Sequence, residues 1–142
     1  MAGEEVVPDP TATLRHELQL LRDRVIGVRG SIVAGVDGLC MFQDGATGQD
    51  PHDIAAMAAA TYGIGQQTGR VLQSGTHQET TIHCRSGYLV VYSMGNGMLL
   101  AVLAEAGINV ARLHVEFRAG LERMRATLAE AAAHLVIIRP RL

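Results

Sequence analysis

Four polar residues at alternate positions are the strongest candidates for chemistry in this chain. His77, Glu79, Thr81 and His83 follow one another at intervals of two, and Cys84 comes next. Alternate residues of a β-strand point to the same face and lie roughly 6.5 Å apart. The spacing therefore predicts a strand over about 76–84 with these four side chains on one face. His77 and Glu79 are close enough to share a metal ion, whereas His77 and His83 are about 20 Å apart along the strand.

Three interpretations of this polar face stay open at the level of sequence. The favoured one is a polar seam between two copies of an edge strand, because edge strands are often polar on both faces. The second is an edge exposed to solvent. The third is a metal site or enzyme built on the histidines, in which antiparallel pairing of two strands brings His83 of one chain near His77 of the other.

Other catalytic arrangements find little support. The chain has no lysine, which excludes a P-loop lysine and a Schiff-base lysine. No serine has a G-x-S-x-G setting, and the neighbours His83 and Cys84 would point to opposite faces of a strand. Gly63, Gly65 and Gly69 lie inside a predicted helix at the wrong spacing for a dinucleotide loop. We therefore predict a protein with no catalytic residues, no cofactor and no resident metal.

Composition indicates one domain. The 142 residues are 48% hydrophobic, which is enough to bury a core, and the formal net charge is −2. That charge gives no electrostatic reason to expect nucleic acid or an anionic membrane as a partner. The acidic start MAGEEVVPDP has no apolar signal region, and no apolar run approaches the length of a membrane span. We expect a cytoplasmic protein without direct membrane insertion.

Hydrophobic spacing and turn signals predict the element order α-β-β-α-β-β-β-α. Asp9-Pro10 and Asp50-Pro51 are typical helix starts, and Asn109 is a plausible third N-cap. We expect a flexible N-terminus over 1–8, the domain over 9–135 and a C-terminal tail over 136–142. The predicted helices cover about 10–27, 51–72 and 109–135, and the predicted strands about 29–36, 39–43, 76–84, 88–94 and 98–104.

The second predicted helix is unusually rich in small residues. It holds five alanines and three interior glycines. Each interior glycine lowers helix stability by ~1 kcal/mol relative to alanine. Such a helix usually gains stability from close backbone approach. We therefore expect it to pack on a sheet with one face and on another helix with a second face.

Three segments carry a resemblance to a known family. They are VRGSIVAGVDGLCMF, PHDIAAMAAATYGIGQQTG and QETTIHCRSGYLVVYSMGNGMLLAVLAEAGINVARLHVEF, and the last is the most specific. Over about 14–125 the chain resembles the Roadblock / dynein light chain seven family. The resemblance implies an α/β (α+β), profilin-like fold, which is a single three-layer domain. Its five-stranded antiparallel sheet has the order 2-1-5-4-3, with the first and last helices on one face and the Ala-rich helix on the other.

The resemblance also implies a function. Members of this family form homodimers through the third strand and the Ala-rich helix, and they bind and regulate small P-loop GTPases. The implied partners are a second copy of the chain and a small Ras-like GTPase. In the alternative interpretation, the protein is a scaffold for a sensor-kinase-like protein and binds no GTPase. Any recruitment to a membrane would occur through these partners. Arg70, the only arginine on the second helix, is a candidate arginine finger. The predicted interface residues are Ala55, Ala58, Ala59, Tyr62, Gln66, Gly69, Arg70, His77, Glu79, Thr81 and His83.

Overall fold

The structure is a computed structural model that describes residues 9–138, with side chains as far as residue 130. Three helices and five strands follow one another in the predicted order. They are α1 (Pro10–Arg24), β1 (Val28–Gly35), β2 (Cys40–Gly45), α2 (Pro51–Val71), β3 (Glu79–Cys84), β4 (Gly87–Gly95), β5 (Met98–Glu105) and α3 (Val110–Ile138).

All three predicted N-caps are confirmed. The Asp9 carboxylate accepts a hydrogen bond from the backbone N–H of Thr11 at 3.0 Å, and the Asp50 carboxylate accepts one from His52 at 2.9 Å. A proline follows each of these aspartates, where its missing N–H costs nothing. The Asn109 side chain likewise accepts a backbone N–H in the first turn of α3. These caps satisfy N–H groups that have no partner inside the helix.

The five strands form one antiparallel sheet in the order β2-β1-β5-β4-β3, as predicted. The helices α1 and α3 cover one face, and α2 covers the other, which confirms the three-layer arrangement. The larger core includes Leu18, Leu21, Tyr92, Met94 and Phe117. The smaller core includes Ile32, Ile54, Val91 and Leu99. Because β1, β5 and β4 occupy the middle of the sheet, β2 and β3 are its two edges.

Three element boundaries differ from the prediction by three residues, and the first is the end of α1, which lies at Arg24 and not at residue 27. The strand β3 begins at Glu79, three residues later than expected, so residues 76–78 form the end of the connection from α2. The helix α3 continues through Ile138, three residues beyond its predicted end. Segment 1–8 and residues 139–142 of the predicted tail lie outside the described residues. Within the described part of the chain, no helix combines the length and the apolar character needed to cross a bilayer.

Candidate dimerisation and partner-binding surface

A row of exposed and half-buried residues on one side of α2 has the spacing of a helix–helix seam. Met57, Thr61, Ile64, Thr68 and Val71 are separated by four, three, four and three residues. This is the interval at which the contacting residues of paired helices recur. Met57 is 52% exposed, Ile64 71% and Val71 69%, although all three are large apolar side chains. We call these five residues the α2 stripe.

The two threonines of the α2 stripe are already satisfied within the helix. The hydroxyl of Thr61 donates to the carbonyl of Met57 at 2.8 Å, and that of Thr68 donates to the carbonyl of Ile64 at 2.8 Å. Burying a hydroxyl is costly mainly when its hydrogen bond is lost. The stripe can therefore be covered by a partner at little polar cost.

The strand β3 lies beside the α2 stripe and leaves one edge of the sheet open. A groove between the two elements is lined by Thr61, Ile64 and Thr68 from α2 and by Thr80 and Ile82 from β3. The strand pairs with β4 without any register shift, and it contains no proline, lysine or bulge that would blunt the edge. Its free backbone groups are thus available to another strand.

The opposite edge is protected. The strand β2 carries a bulge at Met41, where its register with β1 shifts, and Arg15 of α1 donates a hydrogen bond to the carbonyl of Gln43 at 3.3 Å. Bulges and covering side chains are common ways of preventing edge-to-edge pairing. The two edges therefore differ, and β3 is the more open of the two.

All three predicted interface alanines lie against the chain's own sheet or beside its first hairpin. Ala55 and Ala58 are fully buried and contribute to the smaller core. Ala59 is partly buried, and its Cβ would lie 3.7 Å from a Cβ added at Gly38. Ala55 and Ala58 have no exposed surface to offer a partner, so they support the helix from beneath.

Two of the interior glycines of α2 leave room for the connection between α2 and β3 of the same chain. A Cβ at Gly65 would lie 2.1 Å from the ring of His77, and one at Gly69 would lie 1.9 Å from the carbonyl oxygen of Gly75. The close approach expected of this helix thus involves the connection from α2 to β3 and not a second helix. Gly63, in contrast, is exposed, and a Cβ there would meet nothing within 4 Å.

His77 fixes this connection in place. Its Nδ1 lies 2.7 Å from the hydroxyl of Ser93 and its Nε2 lies 2.6 Å from the hydroxyl of Thr80. Its backbone N–H donates to the Gln66 side chain at 2.6 Å, and Tyr62 packs edge-on against the ring. His77 is buried, and this burial lowers the pKa of the imidazole despite the opposing charge of Glu79. Tyr62, Gln66 and His77 are therefore structural supports of the surface.

The prediction that His77 shares a face with Glu79, Thr81 and His83 is wrong. His77 precedes the first residue of β3, so the alternation of the strand does not govern its direction. Its ring packs beneath α2, whereas Glu79 and Thr81 contact α3 on the opposite face of the sheet. The His77–His83 approach on which the metal alternative rested is accordingly lost. Within the described residues, no group of three or more His, Cys, Asp or Glu side chains is arranged to hold a metal.

Glu79 and Thr81 attach β3 to α3 through a cluster of polar side chains. The Glu79 carboxylate accepts a hydrogen bond from Arg118 at 2.7 Å, and the Thr81 hydroxyl lies 3.1 Å from Nε2 of His114. The Nδ1 atom of His114 lies 2.8 Å from Glu79 Oε2 and 2.9 Å from the Tyr92 hydroxyl. One ring nitrogen directs one good hydrogen bond, so the buried Oε2 atom lacks a well-aligned donor. Burial raises the pKa of Tyr92, which keeps this hydroxyl protonated.

The sequence analysis missed this cluster because it placed every candidate site residue on the second helix or the third strand and none on the last helix. His114 and Arg118 are four residues apart and therefore lie on one side of α3. That side borders the buried stripe of Leu113, Phe117 and Leu121. Two polar residues at this spacing beside a buried stripe are the signal that would have predicted contact with the edge of the sheet.

The last two predicted residues are exposed. His83 stacks on Tyr88 of the neighbouring strand, with the ring centroids 4.3 Å apart. Arg70 bonds through its guanidinium to Gln67 of its own helix at 2.6 Å. Successive residues of a helix are rotated by about 100° about its axis. Arg70 therefore points away from the α2 stripe, toward the other exposed side of α2.

Comparison with known proteins agrees with this architecture. The family model described as the Roadblock/LC7 domain matches residues 14–104. The uncharacterized protein MJ1340 of Methanocaldococcus jannaschii is 29% identical over 100 residues, which cover 70% of this chain and 87% of that protein.

Solved structures resemble the fold along most of its length. The crystal structure of a Roadblock/LC7 domain from Streptomyces avermitilis is 27% identical and has a TM-score of 0.73, covering 81% of this chain and 97% of that one. The gliding protein MglB of Thermus thermophilus has a TM-score of 0.76 at 14% identity, covering 88% of this chain and 95% of that one. This second likeness concerns the fold alone.

Proposed function

The chain belongs to the Roadblock/LC7 family, and we propose that it is a non-catalytic homodimeric module that binds and modulates a small P-loop GTPase in the cytoplasm. The observation that carries the proposal is the exposed α2 stripe beside the open edge β3. A soluble domain seldom exposes a regular row of large apolar side chains next to a free strand edge unless both are covered by a partner.

A second copy of the chain is the partner that satisfies both features at once. If β3 pairs with its copy about a two-fold axis perpendicular to the sheet, the five strands continue into ten and both α2 helices lie on the same face. The two α2 stripes then run side by side, where a seam with a 4-3-4-3 spacing can interdigitate. Isologous pairing of this kind is the commonest form of homo-oligomer.

The dimer leaves a composite surface for a second partner. On the side of α2 that points away from the sheet, Ala56, Ala60, Gly63 and Gln67 are all exposed. Small side chains let another protein approach the backbone of both helices closely. The family resemblance implies a small GTPase as this partner. A GTPase supplies its own contacts to the phosphates and to Mg²⁺, so the module would act by positioning the loops of the GTPase. Arg70 is the candidate for a direct contact with the GTPase active site.

The proposal is tested with a small Ras-like GTPase encoded in the same genome, loaded with GDP or with a non-hydrolysable GTP analogue. We expect one nucleotide state to bind the dimer in titration calorimetry. Ala60→Arg should abolish binding without changing the mass of the dimer. Gln19→Arg, at an exposed position of α1 on the other side of the sheet, is the matched control and should bind normally.

Loss of binding in both variants, or in neither, would count against the α2 surface as the docking site. Failure of every such GTPase to bind, together with recovery of a sensor-kinase-like protein from native extracts, would favour the alternative scaffold role.

A further inference from the structure

The backbone groups that β3 offers at its open edge can be assigned from its pairing with β4. The N–H of Ser93 donates to the carbonyl of Gln78 at 2.9 Å, immediately before β3 begins. In an antiparallel ladder, hydrogen-bonded pairs alternate with non-bonded ones. The even-numbered residues from 78 to 84 therefore direct their N–H and C=O groups toward β4, and Glu79, Thr81 and His83 direct theirs outward.

Symmetry limits how two such edges can meet. A two-fold axis perpendicular to the sheet must place one residue opposite its own copy. With Thr81 at that position, each of the three outward-facing residues meets another outward-facing residue, which gives about six inter-chain hydrogen bonds. A shift of the axis by one residue leaves about four inter-chain hydrogen bonds. One outward-facing residue then lies opposite Arg85 or His77, and both of these residues are outside β3.

From this count we propose that two copies pair through β3 with Thr81 opposite the partner's Thr81. This inference rests on the proposed homodimer and assigns its register. It places the partner's His83 opposite Glu79, on the face of the sheet that carries α3, and does so twice in each dimer. On the other face, Ile82 lies opposite the partner's Thr80, beneath the paired α2 stripes.

The register gives the polar cluster a further partner. Within one chain, the Glu79 carboxylate contacts Arg118 and His114, and side chains directly opposite in paired strands lie about 5 Å apart. The partner's imidazole is thus brought beside the Glu79 carboxylate, whose side chain is 23% exposed in the single chain. Each half of the interface then contains a carboxylate from one subunit and a histidine from the other.

Engineered disulfides distinguish the registers. Cα atoms opposite each other at a hydrogen-bonded pair are about 5.5 Å apart, which suits a disulfide. In the proposed register two copies of residue 82 are offset along the strands and lie about 8 Å apart, too far for a disulfide. Thr81→Cys and Ile82→Cys are made in a Cys84→Ser background, which leaves the same Cys40 in both proteins, and are treated with oxidised glutathione.

We expect Thr81→Cys to cross-link at least tenfold faster than Ile82→Cys on non-reducing gels, with both reduced variants having a dimer mass by light scattering. Faster cross-linking of Ile82→Cys, or a dimer mass with no cross-link at residue 81, would overturn the register and leave the homodimer standing. A monomer mass for the reduced variants and for the unmodified chain would overturn both.

A second test uses charge and does not depend on a disulfide. His83→Glu would set a carboxylate opposite Glu79 of the partner at two places in the dimer, and like charges opposite each other in a sheet are destabilising. We expect the dimer Kd to rise about tenfold, while His83→Gln changes it by less than threefold. An equal effect of both substitutions would contradict the register.

Discussion

Replacement of Ile64 by alanine should weaken the dimer while leaving the folded chain intact. Fully burying an isoleucine side chain contributes about 1.5–3 kcal/mol. Since Ile64 is 71% exposed in the single chain, on the order of 1–2 kcal/mol of that burial remains to be gained on association. The residue occurs once in each subunit, so Ile64→Ala removes roughly 2–4 kcal/mol from the dimer, which raises its Kd by about 30- to 1,000-fold.

The assay is sedimentation equilibrium over a concentration series, and the free energy of unfolding of the dissociated subunit is measured separately in urea, at a protein concentration well below the dimer Kd. Alanine is the better helix former, so the unfolding free energy of the subunit should change by less than about 0.5 kcal/mol. Ile26→Ala is the matched control, because Ile26 is 91% exposed in the turn between α1 and β1, away from the α2 stripe. Equal Kd values for Ile64→Ala and Ile26→Ala would refute the role of the stripe.

Three further predictions concern residues of α2 and of the connection that follows it. Gly65→Ala should lower the unfolding free energy in urea by roughly 1–3 kcal/mol, because its Cβ meets the ring of His77, whereas Gly63→Ala should raise it by about 0.5–1 kcal/mol; the reverse order would contradict the packing. Since burial holds the pKa of His77 below its unfolded value, the unfolded chain binds this proton first, and stability should fall as the pH drops below about 6.5, by at most ~1.4 kcal/mol per pH unit. His77→Gln should reduce that slope and His16→Gln, at an exposed position, should not; identical slopes would exclude His77 as the titrating group. Arg70→Ala should leave the dimer mass unchanged, because its guanidinium bonds within its own helix, and should remove most of any stimulation of GTP hydrolysis; unchanged turnover would exclude it as an arginine finger.

The fold followed from local signals that agree with one another. Asp9-Pro10 and Asp50-Pro51 start helices because an aspartate caps and a proline tolerates the first turn. The strands β4 and β5 are apolar along most of their length, which is typical of central strands, and the structure buries them on both faces. The strand order came from the resemblance, since periodicity alone does not say which strands are neighbours.

The surface was predicted less completely, because small residues look the same whether they face a partner or the chain's own core. Ala55 and Ala58 were expected at the interface, yet they pack on the sheet, and the exposed stripe consists of Met57, Ile64 and Val71 with two threonines. A helical projection that separated the two sides of α2 would have found this stripe from its 4-3-4-3 spacing.

The direction of His77 depended on where β3 begins. Strand alternation applies only inside the ladder, and the ladder starts two residues after this histidine. Its burial under α2 requires Gly65, which has no side chain to occupy that space. Gly65 and His77 meet only in the folded chain, so their spacing in the sequence does not show that the orientation of His77 depends on Gly65.

The mass of the unmodified chain in solution tests the central claim most directly. The account predicts that light scattering after size exclusion gives twice the subunit mass of 15.1 kDa, and that this value persists on dilution into the low micromolar range. A mass of one subunit at every concentration would contradict it, because the α2 stripe and the edge of β3 would then remain uncovered by a second copy.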